Sequence, residues 1–404
     1  MLHIGIDQSP KEHTVCIMDT TGCQLAHFAI PHDAAGFQRL HSECQQTFQM
    51  SPEQYLVALE SGHCLLVDFL LDHGYQTFVI PGKAVDRYRD RHRQSGSIAD
   101  RSDAIVLANI LRTDRHLYTP WKADASLTHQ VRSQVKSVLD LKRSVVSFTN
   151  RLRALLWRYY PIAADLFSTL DGKITLAFIH SYPTPQAAKA LSKADFTAFC
   201  REHKYTRSDY ITRRYAQLLN AQTYASLEVA EAYAGQAQAL TRVIRTLVTE
   251  RDRAQKELTR AFEQHPDACI FASLPGAGEF LAPALLSKFR DCRARYPTAA
   301  VAQAIAGTCP VTIQSGKKKR YVQFRRACDR EFRYIATLFA RSSVKQSSWA
   351  AAYLETVWPR CNKGSHAYRL LANRWIAIIW RLWVDQVEYD EAVHLRNRLA
   401  NRTR

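Results

Sequence analysis

The sequence predicts an N-terminal α/β domain followed by a long and mostly α-helical remainder. Short runs of β-forming residues, LHIGID at 2–7 and TVCIMD at 14–19, open the chain and are followed by alternating helix and strand patterns up to about residue 80. Beyond residue 121, apolar residues recur every three or four positions, which is the spacing of amphipathic helices. A sheet is therefore expected only near the start of the chain.

Turn and cap residues set the order of the N-terminal elements. The turn Thr20-Thr21-Gly22 separates the second strand from a third at about 23–30. Local signals then predict a helix from Asp33 to about Phe48, a strand from Tyr55 to Glu60, a helix from Leu65 to Asp72 closed by Gly74, and a strand from Gln76 to Ile80. The order β-β-β-α-β-α-β-α is the arrangement of an RNase H-like nuclease or integrase domain.

Four acidic residues occupy the positions where such a sheet places its chemistry. Asp7 ends the first strand and Glu60 ends the fourth, while Asp100 and Asp103 stand three apart at the head of a helix and share one face. Each acid alone could be an ordinary turn or first-turn residue. Taken together they favour a site for two divalent cations, and hard oxygen ligands suit Mg²⁺ or Mn²⁺.

Charge and cysteine usage limit the classes of partner. The 404 residues carry 55 Lys and Arg against 37 Asp and Glu, a net charge of +18, which favours nucleic acid over a membrane surface. The ten cysteines form no CxxC pair, so neither a zinc site nor a disulfide framework is indicated. No apolar run of about 18 residues appears, so we expect a cytoplasmic protein without a membrane partner.

A basic segment lies between the last strand and the aspartate pair. It contains four arginines, interrupted by Asp86 and Asp90: Arg87, Arg89, Arg91 and Arg93. Such a segment is usually solvated and salt-bridged. Beside a site that cleaves phosphodiesters, it could equally follow a nucleic-acid backbone.

Two long helices dominate the middle of the chain. One is predicted over about 122–160 and the other over about 215–264, where the apolar seam repeats every 3.5 residues. This repeat fits a coiled coil between chains, and it fits equally an intrachain hairpin of the two helices. No role is assigned to residues 162–215.

The C-terminal part contains two candidate DNA-contacting features. Gly276 and Gly278 lie in LPGAG, which has the form of a helix-hairpin-helix turn whose N–H groups can approach a phosphate. Ser315 lies in a basic hairpin, and is either a turn residue or a phosphoryl-transfer nucleophile. The cations around it are Lys317, Lys318, Lys319, Arg320, Arg325 and Arg326. Most of the tryptophans in 349–389 are expected to lie in the core. Arg369, Arg374 and Arg381 are expected on outward faces of the same helical region. The basic end of the chain is expected to be a disordered tail.

With these residues in view, nearly the whole chain resembles the DEDD transposases of bacterial insertion sequences, the family that includes the Piv DNA invertase. The motifs that carry the resemblance are IGID at 4–7, ALES at 58–61, ADRSDA at 99–104, SLPGAGEFLAPALL at 273–286, GTCPVTIQSGKKKR at 307–320, FRRACD at 324–329 and KGSHAYRLLANRW at 363–375. One departure stands out, since the common family form K-x-D-x-x-D-A has its lysine replaced here, where Ile98-Ala99 precede Asp100.

The resemblance implies four segments. The first is a RuvC-like domain over 1–121 that binds Mg²⁺ through Asp7, Glu60, Asp100 and Asp103. It is followed by a helical linker and coiled coil over 122–265, a C-terminal transposase domain over 266–390 with Ser315 as nucleophile, and a basic tail over 391–404. It also implies donor and target DNA, a structured guide (bridge) RNA, and a homo-oligomer, dimer or tetramer. Because a long helical region separates the acids from Ser315, we expect a composite site in an oligomer. The alternatives are a Holliday-junction-resolving nuclease that uses water, and a non-catalytic nucleic-acid scaffold.

Overall fold

The computed structural model describes two compact units, residues 1–125 and 126–404. The described residues are 1–62, 64–92, 100–122, 124–222, 225–314 and 321–400, without the side chains of 91–92, 100–102, 321, 394 and 397–400. The predicted segments 122–265 and 266–390 both lie in the second unit, except for residues 122–125, which belong to the first unit. No helix in the described ranges is both long and apolar enough to cross a membrane.

The first unit is built on a five-stranded sheet in the order β3-β2-β1-β4-β5. Its strands are β1 (Leu2–Gln8), β2 (Glu12–Met18), β3 (Gln24–Pro31), β4 (Tyr55–Leu59) and β5 (Gln76–Val79). β1, β2 and β3 pair antiparallel, whereas β4 pairs parallel to β1 and β5 parallel to β4. The α/β prediction is confirmed, and β4 is buried throughout, as expected for a central strand covered on both faces.

The helices of the first unit are α1 (Ala34–Ser42), α2 (Leu65–Asp72), α3 (Gly82–His92) and α4 (Asp100–Asp114). Asp33 caps α1 as predicted, because its carboxylate accepts a hydrogen bond from the Gly36 N–H at 2.8 Å. α1 ends earlier than expected, at Ser42, and a π-helical turn continues it to Thr47. α4 begins at Asp100, the first residue of the predicted acidic pair.

The second unit is mostly helical, and its described residues include one short pair of antiparallel strands. Its elements are α5 (Ser126–Tyr159), α6 (Pro161–Asp165), α7 (Lys173–Ser181), α8 (Pro185–Lys189), α9 (Lys193–Glu202), α10 (Ser208–Asn220), α11 (Leu227–Glu263), α12 (Ala268–Ala272), α13 (Gly278–Phe289), α14 (Ala299–Ile305), β6 (Val311–Ile313), β7 (Tyr321–Gln323), α15 (Arg330–Ser343), α16 (Ser348–Val357), α17 (Gly364–Asp385) and α18 (Glu391–Ala400).

The predicted helix over 215–264 is wrong in one respect, since it is divided into α10 and α11. Ala221 ends α10 with an extended backbone. The Ser226 hydroxyl then accepts a hydrogen bond from the Val229 N–H, so a new helix starts at Leu227. A seam of apolar residues on its own did not reveal this cap.

α5 and α11 pack against each other as an antiparallel hairpin within the chain. Tyr159, at the end of α5, stacks on Tyr233 near the start of α11, with ring centroids 5.8 Å apart. At the other end of the pair, Gln134 donates to Glu257 at 3.2 Å. The seam residues Ala237, Ile244 and Leu258 are buried in this arrangement. The seam is therefore satisfied inside one chain, which is the hairpin alternative.

The tryptophan-rich end of the chain packs into the core through α17. Trp375 and Trp383 are 0% exposed, and their indole N–H groups donate to Ser343 Oγ and to the Arg290 carbonyl. Trp358 is the exception, with 48% of its surface exposed.

The prediction of a disordered tail from residue 391 is also wrong for its first part, because 391–400 form α18. Glu391 ties the start of this helix to α16 by accepting hydrogen bonds from the Ser348 N–H and hydroxyl. Residues 401–404 lie outside the described part of the chain.

Candidate functional site

The parallel pairing of β1 and β4 brings Asp7 and Glu60 to the same edge of the sheet. Ile6 lies opposite Leu59. Asp7 is the next residue of β1, and Glu60 directly follows β4. Gln8 reinforces the alignment, because its side-chain oxygen accepts a hydrogen bond from the Ser61 N–H at 2.8 Å. The sequence placed both acids at strand ends, and the register now makes those ends neighbours.

Asp103 reaches this edge because α4 lies very close to β1. A Cβ atom on Gly5 would overlap the backbone carbonyl oxygen of Ala104, so only glycine permits this approach. Ala104 and Ala108 are fully buried at the contact. Asp103, one residue before Ala104, keeps only 15% of its side chain exposed.

The carboxylates interact through a shared electrostatic field. Partial burial raises the pKa of Glu60, and the neighbouring charges of Asp7, Asp103 and Asp86 raise it further, while Arg89 acts in the opposite direction. A neighbouring negative charge disfavours the ionised form of a carboxyl group, so the charges at this edge repel that of Glu60. A bound cation would relieve that repulsion.

Arg89 of α3 pairs with Asp103, which favours the salt-bridged alternative for this arginine over contact with a nucleic-acid backbone. Arg89 Nη2 lies 2.5 Å from Asp103 Oδ1, and its Nη1 lies 3.5 Å from Asp86. The side chain of Arg89 is 17% exposed, and its Nε has no hydrogen-bond partner among the described residues. Arg87 is exposed on α3, whereas the side chain of Arg91 and all of Arg93 lie outside the described residues.

The donor types at this edge fit a hard divalent cation. Within the ranges that the structure describes, no group of three or more His, Cys, Asp or Glu side chains is arranged to hold a metal ion. The side chain of the fourth acid, Asp100, is outside those ranges. The carboxylate oxygens of Asp7, Glu60 and Asp103 are the hard donors that suit Mg²⁺ or Mn²⁺ in charge and chemistry.

The glycine turn at 274–278 connects α12 to α13 and is held by hydrogen bonds to other residues of the chain. Gly276 and Gly278 have positive φ angles of 75° and 56°. The Gly276 N–H donates to Gln346 at 2.7 Å, and the Ser342 hydroxyl donates to the Gly276 carbonyl at 2.7 Å. The Gly276 N–H is thus used internally, contrary to its predicted phosphate contact.

A cleft of about 940 Å³ lies beside this turn. Cationic residues on its wall are Lys142, Arg341 and Lys345, and Gly278 also lines it. Lys142 Nζ lies 3.3 Å from the centroid of the Phe280 ring. Burial, with a smaller contribution from Arg251, lowers the pKa of Lys142 to about 8. The basic wall keeps Gly278 a candidate for nucleic-acid contact.

The different surroundings of the two glycines predict different costs of substitution. Gly278→Ala is expected to lose about 1–2 kcal/mol from the left-handed backbone alone, since a Cβ there meets nothing within 4 Å. Gly276→Ala is expected to lose at least about 1 kcal/mol more, because its Cβ would lie 2.8 Å from the Ser342 carbonyl oxygen. Urea unfolding of both variants measures the difference in the free energy of unfolding. Equal losses would contradict the close packing of Gly276 against Ser342 of α15.

The predicted nucleophile, Ser315, lies outside the described residues, as do Lys317, Lys318, Lys319 and Arg320. The structure describes the hairpin that carries them up to Ile313 and from Tyr321, which pair across β6 and β7. The root of the hairpin is anchored, because the Thr308 hydroxyl donates to the Asn373 side-chain oxygen at 3.0 Å.

Arg369 of α17 contacts Phe324, which directly follows β7, and this contact was not predicted from the sequence. Arg325 is half-buried and Arg326 exposed, while Arg369 is half-buried against Phe324 and does not point outward as predicted. Arg374 and Arg381 are exposed. Arg369 lies far from Phe324 in sequence, so no local spacing pointed to this contact.

Comparison with known proteins gives a consistent assignment for both ends of the chain. A DEDD transposase model for IS110 elements matches residues 4–161, and a model described as transposase IS116/IS110/IS902 family matches residues 268–355. The first match contains the four acids and the second contains Ser315.

Relatives of similar length support the same assignment. The chain is 31% identical over 397 residues to "Mini-circle putative transposase for IS117" of Streptomyces coelicolor, covering 96% of this chain and 95% of that protein. It is 24% identical over 396 residues to "Insertion element IS900 uncharacterized 42 kDa protein" of Mycobacterium paratuberculosis, covering 96% and 97% respectively. The chain belongs to the IS110/IS116/IS902 family of transposases.

Proposed function

We propose that this transposase is a site-specific recombinase that cuts and rejoins DNA with a carboxylate metal site and a serine nucleophile, Ser315. The observation that carries the proposal is the interaction of Glu60 with Asp7 and Asp103 at one edge of the sheet. The family assignment supports DNA as the substrate. The order of elements and the positions of the acids support a RuvC-like, RNase H-like assignment for the first unit.

Asp7, Glu60, Asp100 and Asp103 would hold Mg²⁺ or Mn²⁺. When bound, the cation would supply Lewis-acid stabilisation of the charge that develops on the scissile phosphate. Arg89 holds the carboxylate of Asp103 through its ion pair, and so positions that acid at the edge of the sheet. Gly5 allows α4 to come close enough for Asp103 to take part.

Ser315 would attack the phosphorus of the scissile phosphodiester. A bond forms between Ser315 Oγ and phosphorus while the bond from phosphorus to the 3′-oxygen breaks, giving a 5′-phosphoserine and a free 3′-hydroxyl. The hydroxyl proton lost by Ser315 is balanced by the proton gained on the 3′-oxygen. Rejoining reverses these bonds with a 3′-hydroxyl from another strand, so no external energy source is needed.

The assembly that we propose contains donor and target DNA, a structured guide RNA, and two or four copies of the chain. The guide RNA and the oligomer rest on the family resemblance. The net charge of +18 supports contact with polyanions of either kind. The second unit would offer the cationic wall beside Gly278 and the exposed Arg326 to these partners.

Metal binding can be tested without any nucleic acid. We expect Mg²⁺ to raise the melting temperature of the wild-type protein, because a ligand present at about 100 times its dissociation constant stabilises the folded state by about 2.7 kcal/mol. Asp103→Asn should lose most of this shift. Asp86→Asn is the matched control, since Asp86 also pairs with Arg89 but has 67% of its side chain exposed. Equal Mg²⁺ shifts in wild type and Asp103→Asn would contradict the metal site.

A further inference from the structure

Two arginines from different helices contact the same aromatic ring, that of the residue directly after β7. The guanidinium carbon of Arg333, on α15, lies 4.5 Å from the centroid of the Phe324 ring, and that of Arg369, on α17, lies 4.6 Å from the same centroid. Phe324 directly follows β7 and is 46% exposed. We refer to these three residues as the arginine–phenylalanine cluster.

The positive charge of this cluster has no carboxylate partner in the described ranges. No ion pair of Arg333 or Arg369 occurs there, whereas other arginines of the second unit, such as Arg293 and Arg381, do have acidic partners. Arg333 instead donates to the backbone carbonyl of Arg325 at 3.0 Å. The neighbouring Arg325 also has a buried Nε without a hydrogen-bond partner in the described residues. The two guanidinium groups beside the Phe324 ring thus have no anionic partner among the described residues.

The arrangement costs free energy in the protein alone. Burial lowers the pKa of Arg369, and the neighbouring charge of Arg333 lowers it further. The ring offsets part of this cost, because a cation over an aromatic face is attracted by the negative charge of that face. An anion that bridges the two guanidinium groups would offset the rest.

Stacking also leaves suitable donors for such an anion. A guanidinium group placed on a ring uses its planar face, so N–H groups without an internal acceptor remain available in its plane. In Arg333, Nη1 already donates to the Arg325 carbonyl, which leaves its other N–H groups. These N–H groups match the oxygens of a phosphodiester, which arginine recognises by two parallel hydrogen bonds. Because Phe324 is 46% exposed, a ligand can approach the ring beside which both guanidinium groups lie.

The cluster is held in a fixed place relative to the hairpin. The Thr308 hydroxyl donates to Asn373, one turn beyond Arg369 on α17. On the other side, the Asp329 N–H donates to the Ile305 carbonyl at 2.8 Å, and the Asp329 carboxylate caps α15 four residues before Arg333. These hydrogen bonds hold the residues next to β6 and β7 at a fixed position relative to the helices that carry the two arginines.

We propose that Arg333 and Arg369, stacked on Phe324, bind one backbone phosphate of the DNA at the root of the β6–β7 hairpin. The contact is independent of base sequence and fixes where the strand lies relative to the hairpin. This inference rests on the proposed function only in requiring that the chain binds DNA. It does not depend on which residue is the nucleophile.

The test measures how binding of a mixed-sequence DNA duplex to the full chain depends on salt. Each neutralised phosphate contributes about 0.9 to the slope of log affinity against log salt concentration. Arg369→Gln is expected to lower affinity about tenfold and to reduce the slope by about 0.9, since one phosphate contact is lost. Arg369→Lys keeps the charge and should restore the slope, although it cannot restore bidentate geometry.

Arg374→Gln is the matched control, because it removes one positive charge from the exposed side of the same helix. Its slope should stay close to that of the wild type. Phe324→Leu is a second variant that keeps an apolar side chain but removes the stacking surface, and it should weaken binding in the same direction as Arg369→Gln.

Three results would overturn the inference. If Arg369→Gln lowers the melting temperature but leaves the salt slope unchanged, the cluster is structural. If the slope falls equally in Arg374→Gln, only net charge matters. If an RNA duplex responds to Arg369→Gln and the DNA duplex does not, the assignment to DNA is wrong. Failure of the wild-type chain to bind DNA at all would overturn the proposed function as well, so the two failures are distinguishable.

Discussion

Asp103→Asn is expected to reduce DNA strand cleavage by about 10²–10³-fold, the size of effect seen when a group that stabilises transition-state charge is removed. The substitution keeps the shape of the side chain but removes a negative oxygen ligand. It also releases Arg89, whose guanidinium lies 2.5 Å from that carboxylate. The measurement is the initial rate of strand cleavage in Mg²⁺ on DNA that carries the ends of the element.

Asp86→Asn separates a specific loss from a general change in charge. Asp86 contributes to the same electrostatic field at Glu60, but its contact with Arg89 is longer, at 3.5 Å, and its side chain is largely exposed. We expect its cleavage rate to stay within about twofold of the wild type, as for exposed charges in general. Comparable losses in the two variants, or none in Asp103→Asn, would contradict the assignment of Asp103 as a ligand.

Ser315→Ala is expected to abolish recombination, with a loss of at least about 10⁴-fold, because removal of a nucleophile leaves only the contributions of binding and charge stabilisation. Strand cleavage on a single DNA substrate should fall to the same extent. The rate of product formation, measured on a substrate labelled at its 5′ end, gives the comparison.

Thr312→Ala is the control for this prediction, since Thr312 carries a hydroxyl on the same hairpin and lies opposite Val322 in β7. Its activity should stay near that of the wild type. If Ser315→Ala still cuts DNA at the wild-type rate, water is the nucleophile and the chain acts as a junction-resolving nuclease. If no variant and no wild-type protein cuts DNA with a matched guide and both DNA partners, the non-catalytic scaffold is favoured.

Sequence reasoning predicted the sheet well because its signals are local. The run of buried residues in β4, the Asp33 cap and the turn at Gly22 each depend on a few neighbouring side chains. It also placed Asp7 and Glu60 at strand ends. That the two ends are neighbours follows from the parallel register, which the sequence alone did not give.

The features that the sequence did not reveal are contacts between distant segments. Arg89 resembles any other arginine of a basic helix until α3 and α4 place it against Asp103. Arg369 was expected to point outward, yet α15 and α17 bring it and Arg333 to the same ring. The break before α11 was missed for a different reason, since one serine cap outweighed a continuous apolar repeat.

The most direct test of the proposed chemistry is to identify the residue joined to DNA when the reaction is stopped by denaturation. A covalent complex formed in Mg²⁺ would be digested and its nucleotide-bearing peptide mapped by mass spectrometry. We expect a 5′-phosphoester on Ser315, with no complex in Ser315→Ala and a strongly reduced amount in Asp103→Asn. A complex through another residue, or cleaved DNA with no covalent complex at all, would contradict it.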